Sequence, residues 1–383
     1  MTAGRTRRSR SATVLLLTVA LLVLFGFVMM ASVSGPYAVQ KKGDVYHYAV
    51  RQGVWLVLGL GAAWASRRVD YHTWTRTGVV LPMLGTVTVA LALCYVRPIG
   101  VMLNHSWRWI QIPGLSFARV QPSEFAKFAL IAFLAWWHTR VYGEWPGFWK
   151  GLAAPMGVLA VVLGLIACEK DLGTTALLLA TTVTILFAAG ARVDWMVALA
   201  GLGIAALAVA VRFDEERFGR VVAFLDPFGH QQDNGFQLLN ALYGFVAGGA
   251  RGLGLGQGIQ KQWGYLPEAH TDFIFASIGE ELGVVASLAV LALFATLMIC
   301  AYRIAARASD RCGQLIATGI ATLVSVQAIV NVAVVTGWAP TKGLALPFIS
   351  YGGSALLALL FMVGVLLNIA HLSEAANADA RPD

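Results

Sequence analysis

The chain has 383 residues, of which 58% are hydrophobic and only 13% are charged, and its mean hydropathy is +0.70. Soluble domains carry about 25% charged residues, so this composition excludes an ordinary soluble enzyme and indicates an integral membrane protein. The net charge of +8 does not indicate nucleic-acid binding, because the basic residues are scattered between apolar segments and no soluble basic domain holds them. Anionic lipid is the partner that this charge favours.

The cysteines carry no sign of a disulfide framework or of a zinc site. Cys94, Cys168, Cys300 and Cys312 lie in or beside apolar runs, and their spacing is not paired. We therefore interpret all four as packing residues.

Apolar runs along the chain predict an all-α fold of about ten transmembrane helices. The first run follows a tail rich in arginine and is about 20 residues long, which is the length that crosses a bilayer. A signal peptide is the alternative interpretation, but the run is long and further spans follow it. We place the spans at residues 12–31, 49–66, 78–96, 122–137, 152–168, 174–190, 195–211, 272–302, 315–338 and 348–370.

We expect one membrane domain at residues 12–371, between cytoplasmic tails at residues 1–11 and 372–383. Short cytoplasmic loops of membrane proteins are rich in lysine and arginine, and this rule places both termini inside. Other basic residues lie in the connections that this topology places on the external side of the membrane. Either the long external loop translocates regardless of its charge, or the external side binds an anionic lipid diphosphate. The basic residues of the cytoplasmic connections are Arg67, Arg68, Arg76, Arg140, Lys150, Arg192, Arg303, Arg307 and Arg311.

One connection, at about residues 212–271, is much longer than the others, and long loops in compact domains are usually functional or disordered. Its apolar segment at residues 238–246 predicts a short helix in the membrane interface. The glycine-rich segment at residues 248–258 follows no predicted strand and does not fit a nucleotide-binding spacing. We expect its glycines to let the backbone approach lipid, helices or substrate closely.

The stretch at residues 265–283 sets a histidine and several carboxylates against a long apolar run. Pro267 stiffens the approach, Thr271 is a candidate N-cap, and Asp272 is expected in the first helical turn, where the helix dipole favours an anion. On these residues alone, Asp272 is either a helix cap or an ionised carboxylate presented at the membrane surface for chemistry.

Eight short motifs occur in order along the predicted spans. They are Arg51-Gln52, Trp107-Arg-Trp-Ile110, Gln121-Pro-Ser-Glu-Phe-Ala-Lys127, Asp171-Leu-Gly-Thr174, Phe224-Leu-Asp-Pro227, Tyr265-Leu-Pro-Glu-Ala-His-Thr-Asp-Phe-Ile-Phe-Ala276, Pro340-Thr-Lys-Gly343 and Leu346-Pro-Phe-Ile-Ser-Tyr-Gly-Gly-Ser354. In this order they resemble the SEDS family, the rod-shape, division and sporulation glycosyltransferases typified by RodA and FtsW. The chain departs from the family at Lys170, where proline is frequent, and at residues 247–250, where a serine is common.

The resemblance implies a peptidoglycan glycosyltransferase that polymerises lipid II at the outer face of the bacterial cytoplasmic membrane, in division or elongation. Asp272 matches the family's essential carboxylate and is our candidate catalytic residue. The reaction needs a base for the acceptor hydroxyl and cations for the departing undecaprenyl diphosphate, in one inverting displacement. Asp272 is either this base or the ligand of a divalent cation, Mg²⁺ or Mn²⁺, and the sequence leaves both roles open.

Other residues of the motifs are candidates for binding substrate or for lining a polar cavity. Glu124 and Lys127 lie at i and i+3, which allows either a structural salt bridge or a cavity role. His270 either assists proton transfer or phosphate binding, or is a hydrogen-bonded interfacial histidine. Glu280 lies about 80° around a helix from Asp272, which favours it as a cavity residue. The full set is Arg51, Trp107, Arg108, Glu124, Lys127, Asp171, His270, Glu280, Lys342 and Ser350.

The resemblance also implies partners, namely a class B penicillin-binding protein transpeptidase and divisome or elongasome membrane proteins. Residues 268–272 and 278–283 are more similar to the division members of the family, of the FtsW type. Two other functions stay open. A lipid II flippase would need similar spans and charges, although carriers hold their charged site near the bilayer midplane and the polar cluster here is expected outside. The third possibility is a non-catalytic scaffold that recruits the transpeptidase.

Overall fold

The computed structural model describes residues 10–103, 106–111, 119–140, 147–232, 235–262, 266 and 269–379. Within these ranges the chain is almost entirely helical, which confirms the all-α architecture of a polytopic membrane protein. The helices are α1 (Arg10–Lys42), α2 (His47–Arg68), α3 (Thr77–Leu93), α4 (Pro122–Arg140), α5 (Ala154–Cys168), α6 (Leu172–Ala188), α7 (Val193–Arg212), α8 (Glu215–Leu225), α9 (Phe236–Gly248), α10 (Ile259–Gln262), α11 (Ile274–Ala306), α12 (Arg311–Val335) and α13 (Gly353–Asp379).

Each predicted span coincides with one of these helices, although several boundaries move. Helix α1 continues to Lys42, and α13 begins at Gly353 and continues to Asp379, so the expected carboxy-terminal tail starts as helix. Six helices of the described ranges are long and apolar enough to cross a membrane. The total of ten spans stays a prediction, because α2, α3, α4 and α6 are not among these six.

A small antiparallel sheet between α3 and α4 was not predicted from the sequence. Its strands are β1 (Gly100–Leu103), β2 (Ser106–Gln111) and β3 (Arg119–Val120), in the order β1-β2-β3. The aromatic and branched residues of β2 favour a strand, but a search for long apolar runs passes over so short a segment.

The long connection between α7 and α11 is folded. It contains α8, a 3₁₀ turn at Phe228–His230, α9 and α10, and α9 covers the predicted helix at residues 238–246. Helix α9 buries Leu238, Leu239 and Ala241 and packs against α11. Pro267, which was expected to stiffen the approach to Asp272, lies outside the described residues.

Helix α11 breaks at Gly283, whose φ of 78° and ψ of −177° are not helical. The glycine-rich segment at residues 248–258 supplies the missing hydrogen bonds. Leu253 N donates to Glu280 O (3.0 Å), and Gly254 N donates to Glu281 O (2.9 Å). A methyl group at Gly252 would overlap with Glu281 O, so this approach requires glycine. The glycines therefore bring backbone against a helix, one of the three roles expected for them.

The helices that carry the sequence motifs pack together, and α7 lies at the edge. Helix α12 contacts α4, α6 and α11, and most residues of α4 are buried. Helix α7 packs on α6 and α8, and none of its residues is buried. The motif residues of α4, α6 and α11 are thus brought around α12, in one region of the bundle.

Candidate functional site

Asp272 lies just before α11 and not in its first turn. The helix begins at Ile274, its N-cap position is Phe273, and no side chain caps it, so the prediction of Thr271 as N-cap is wrong. The cause is that the backbone of residues 270–272 bonds to another part of the chain. Asp272 is partly exposed, whereas His270 before it is buried.

Three consecutive carbonyls, those of His270, Thr271 and Asp272, accept hydrogen bonds from α12 or from the segment that follows it. We call this segment, residues 336–352, the α12–α13 loop. Tyr351 N donates to His270 O (2.9 Å), and Ser350 Oγ donates to Thr271 O (2.5 Å). The side chain of Asn331 in α12 donates to Asp272 O (2.8 Å). Ser350 is therefore a direct neighbour of the segment that carries Asp272.

The α12–α13 loop also lies against the carboxylate of Asp272. A methyl group at Gly343 would be 2.8 Å from Oδ2 of Asp272, so the backbone at residue 343 approaches this carboxylate closely. The next residue, Leu344, accepts a hydrogen bond from the same Asn331 amide (2.7 Å). Asp272 and the Lys342-Gly343 motif therefore form one local unit.

Lys342 extends this unit towards Asp171. A methyl group at Gly173 would lie 3.2 Å from Cε of Lys342 and 3.3 Å from Oδ1 of Asp171, which places both side chains at the start of α6. Asp171 caps α6 by accepting from Thr174 N (3.1 Å) and Thr174 Oγ1 (2.9 Å). Burial lowers the pKa of Lys342, the charge of Asp171 opposes this effect, and the charge of Arg217 adds to it. The loop thus holds a partly buried cation whose carboxylate neighbour is already hydrogen-bonded.

Arg217 of α8 supplies the second cation. Its Nε lies 3.4 Å from Oδ2 of Asp214, and its Nη2 is buried with no hydrogen-bond partner among the described residues. Arg217 lies in the long connection, among the basic residues that the predicted topology leaves outside. Arg217 is thus paired with Asp214 through Nε, and its Nη2 keeps a donor of the kind that binds anions.

Glu124 and Lys127 form the ion pair that their spacing allowed. Lys127 Nζ donates to both oxygens of Glu124 (2.7 and 2.8 Å) and to Oε1 of Gln327 in α12 (3.2 Å), and the lysine is fully enclosed. Gln327 in turn donates to Ala345 O of the α12–α13 loop (2.8 Å). The pair is structural in this arrangement, and a cavity role for it stays a prediction.

His270 is enclosed by aromatic rings. Its ring centroid lies 4.9 Å from that of Tyr37, 5.1 Å from Tyr48 and 5.8 Å from Tyr351. Burial raises the pKa of Tyr351, and the nearby charge of Arg51 opposes this rise. Arg51 therefore lies at this aromatic cluster, on the His270 side of Asp272, whereas Asp171 lies on the Lys342 side.

Trp107 and Arg108 of β2 contact other segments of the chain. The guanidinium of Arg97 lies over the Trp107 ring at 5.2 Å. Arg108 donates to the carbonyls of Glu169 (3.3 Å) and Lys170 (2.6 Å), in the turn that precedes Asp171. Contact of either residue with a donor or a partner stays a prediction.

Glu280 is brought to α10 rather than to Asp272. Its Oε1 accepts from Ile259 N (2.7 Å) and Gln260 N (3.0 Å), so it caps that short helix. The adjacent Glu281 is fully buried and forms an ion pair with Lys261. A cavity role for Glu280 stays a prediction.

Sequence reasoning missed three buried polar residues in this region, namely Glu169, Gln327 and Asn331. Gln327 and Asn331 are amides at i and i+4 inside an apolar span, a signal that was present. Glu169 is 1% exposed, and burial raises its pKa to about 8, with a further rise from the charge of Asp171. A carboxylate between two spans is likewise readable as a signal.

The described residues contain no group of three or more histidine, cysteine, aspartate or glutamate side chains that could hold a metal ion. This does not conflict with a divalent cation at Asp272, because Mg²⁺ keeps several waters and is often bound by one or two carboxylates plus substrate phosphates.

Comparisons with known proteins agree on one family. The family model described as "Cell cycle protein", covering FtsW, RodA and SpoVE, matches residues 12–375. The "Probable peptidoglycan glycosyltransferase FtsW" of Geobacter sulfurreducens is 41% identical over 356 residues, covering 93% of this chain and 94% of the relative. "Stage V sporulation protein E" of Bacillus subtilis is 36% identical over 369 residues, covering 96% and 99%.

Two solved structures share the fold. One, described as "Structural coordination of polymerization and crosslinking by a peptidoglycan synthase complex", matches with a TM-score of 0.75 and 28% identity, covering 94% of this chain and 97% of that one. The rod shape determining protein RodA of Thermus thermophilus matches with a TM-score of 0.69 and 25% identity, covering 96% and 97%. The chain belongs to the FtsW/RodA/SpoVE family of membrane proteins, the SEDS family that its motifs indicated.

Proposed function

We propose that this protein is a peptidoglycan glycosyltransferase that polymerises lipid II into glycan strands. Relatives at 38–41% identity are named "Probable peptidoglycan glycosyltransferase FtsW", and this supports the activity. The observation that carries the proposal for the site is the placement of Asp272. Its carboxylate lies against the backbone of Gly343, one residue from the partly buried cation Lys342.

Asp272 acts in this proposal as the general base. Its carboxylate takes the proton of the acceptor hydroxyl while that oxygen attacks the anomeric carbon of the donor. The bond from this carbon to the diphosphate oxygen breaks, and undecaprenyl diphosphate leaves with the electron pair. One displacement inverts the anomeric centre, and the proton then passes from Asp272 to water.

Lys342 and Arg217 stabilise the charge of the departing diphosphate. Charge-assisted hydrogen bonds from ammonium and guanidinium groups to phosphate are about twice as strong as neutral ones. The buried Nη2 of Arg217, without a partner among the described residues, supports this role. Such groups act where negative charge develops, so they contribute to the rate as well as to binding.

Binding of a divalent cation is the second role proposed for Asp272. Mg²⁺ or Mn²⁺, held by this carboxylate and by the diphosphate, would supply Lewis-acid stabilisation of the leaving group. Removal of divalent cations with a chelator, followed by addition of each metal, tests this role in the same assay.

We also propose the setting of the reaction. The protein lies in the bacterial cytoplasmic membrane with both termini inside and Asp272 at the outer face, and the basic cytoplasmic loops support this orientation. A class B penicillin-binding protein is its partner, together with divisome or elongasome membrane proteins, and we favour division. The similarity to a chain of a peptidoglycan synthase complex supports a transpeptidase partner.

The test uses purified protein with its transpeptidase, labelled lipid II, a transpeptidase inhibitor and moenomycin. Wild type is expected to form glycan chains, and Asp272→Ala and Asp272→Asn are expected to form none. The same variants are checked for transpeptidase binding and thermal unfolding, so that a folded inactive protein is recognised. Glycan chains at the wild-type rate with Asp272→Ala would refute the site, and no chains with wild type would favour a flippase or a scaffold.

A further inference from the structure

Asn331 links the two chain segments that meet at the candidate site. Its Nδ2 donates to Asp272 O (2.8 Å) and to Leu344 O (2.7 Å), and the residue is only 2% exposed. One carbonyl precedes α11, and the other belongs to the α12–α13 loop. A single buried amide therefore fixes the separation between the backbone of Asp272 and the loop that lies against its carboxylate.

The chemistry of this position requires a primary amide. Nδ2 carries two N–H donors, and both are used here, each on a carbonyl from a different segment. Leucine has the same branching at Cγ but is larger and has no donor, so it would leave two carbonyls unpaired. Aspartate would place its carboxylate oxygens, which only accept hydrogen bonds, against the carbonyl oxygens of Asp272 and Leu344. The pair of bonds explains why a polar side chain lies inside an otherwise apolar helix, where such residues are costly.

Gln327, one turn earlier on α12, extends the same connection. It donates to Ala345 O (2.8 Å) and accepts from Lys127 Nζ (3.2 Å), which is paired with Glu124. The two amides thus hold consecutive carbonyls, those of Leu344 and Ala345. The loop is attached through α12 to the buried ion pair of α4.

The orientation of Asp272 depends on these bonds because no helix holds it. Residue 272 precedes the first helical residue, Ile274, so it does not take its geometry from α11. Ser350 and Tyr351 hold the two preceding carbonyls, and Asn331 holds the carbonyl of Asp272. Loss of the Asn331 amide removes this restraint on the peptide plane next to the carboxylate.

We propose that Asn331 is a positioning residue for the Asp272 carboxylate, and that Gln327 supports it by fixing the α12–α13 loop. This inference rests on the proposed function, because it assigns the geometry of the same site. A displacement of about 1 Å in an active site can lower a rate by about 100-fold. Asn331 does not touch the reacting atoms in this scheme, so its loss reduces turnover more than substrate binding.

The principal test is Asn331→Leu in the lipid II polymerisation assay with the transpeptidase bound. We expect kcat to fall by about 10- to 100-fold and KM for lipid II to change by less than about threefold. Asn331→Gln keeps both donors on a longer side chain and should retain more activity than Asn331→Leu. Gln327→Leu should lower kcat less than Asn331→Leu does.

Thr322→Val is the matched control. Thr322 is buried in the same helix and hydrogen-bonds Tyr302 (2.9 Å), away from the loop. It should lose one buried hydrogen bond and keep the wild-type kcat. A wild-type kcat for Asn331→Leu, or an equal loss for Thr322→Val, would overturn the proposal.

Asn331→Ser, which is smaller and keeps one donor, covers the case in which Asn331→Leu does not fold. It should show an intermediate kcat at nearly unchanged KM, and a wild-type kcat would again overturn the proposal. Asp272→Ala in the same assay distinguishes a failure of the positioning role from a failure of the proposed catalytic site. If Asp272→Ala is inactive and the Asn331 variants are fully active, only the positioning role fails; if Asp272→Ala polymerises normally, the proposed site itself fails.

Discussion

Gly343 lies against the carboxylate of Asp272, and a methyl group at residue 343 would be 2.8 Å from Oδ2. Such a contact is too short, and the short aspartate side chain has little freedom to move away while Asn331 holds its backbone. We therefore expect Gly343→Ala to displace the carboxylate and to lower kcat for polymerisation by about tenfold or more. Steady-state rates with labelled lipid II measure this effect.

Gly352→Ala is the control for this prediction. Gly352 lies in the same loop, and its added methyl group would meet only Cβ of Ala355, at an ordinary 3.4 Å. Thermal unfolding should change little for either variant, because Gly343 is exposed. Equal activity of the two variants would contradict the contact with Asp272.

The second prediction concerns the contribution of the ion pair between Glu124 and Lys127 to stability. Lys127→Met leaves a buried carboxylate unpaired, and breaking a buried pair in this way costs about 3–5 kcal/mol. The double change Glu124→Gln with Lys127→Met removes both charges and should recover most of that loss. Thermal unfolding in detergent compares the two proteins, and equal destabilisation would show that the charge left behind is not the cause.

The sequence predicted the positions of the helices well because hydropathy acts locally along each span. The spacing of Glu124 and Lys127 on one helix likewise allowed their pairing to be anticipated. It did not reveal the start of α11, because the carbonyls of Thr271 and Asp272 bond to Ser350 and Asn331, which are distant in the chain. Long-range hydrogen bonds of this kind have no local periodicity.

The glycines illustrate the same limit. Their abundance at residues 248–258 indicated close approach, but only the structure identifies the break of α11 at Gly283 as the partner. The single glycine in Pro340-Thr-Lys-Gly343 gave no sign that it faces a carboxylate. For both, the partner is set by tertiary packing.

The third prediction concerns the pH dependence of the stability that Glu169 contributes. Its pKa is raised from 4.5 to about 8, chiefly by burial, so between these pH values the folded protein keeps a proton that the unfolded chain releases. Stability from this group is therefore complete below about pH 4.5 and declines as the pH rises towards 8. We expect Glu169→Gln to be more stable than wild type at pH 9 by about 1–3 kcal/mol and to differ less at pH 5.

Thermal unfolding at pH 5 and pH 9 measures this difference. Glu215→Gln serves as control, because Glu215 is exposed at the start of α8. A Glu169→Gln protein whose advantage over wild type does not grow with pH would contradict the raised pKa.

Gly252 and Gly256 provide the fourth prediction, because they separate backbone strain from steric overlap. Both have positive φ, 79° and 83°, so alanine at either position pays the cost of a left-handed backbone. Only at Gly252 would the methyl group also overlap with Glu281 O, since nothing lies within 4 Å at Gly256.

Gly252→Ala must then push the segment away from the break in α11 and weaken the bonds from Leu253 and Gly254. We expect it to destabilise the protein by about 1–3 kcal/mol more than Gly256→Ala, as overpacking does in cores. Thermal unfolding compares them, and equal losses would mean that this segment does not support the broken helix.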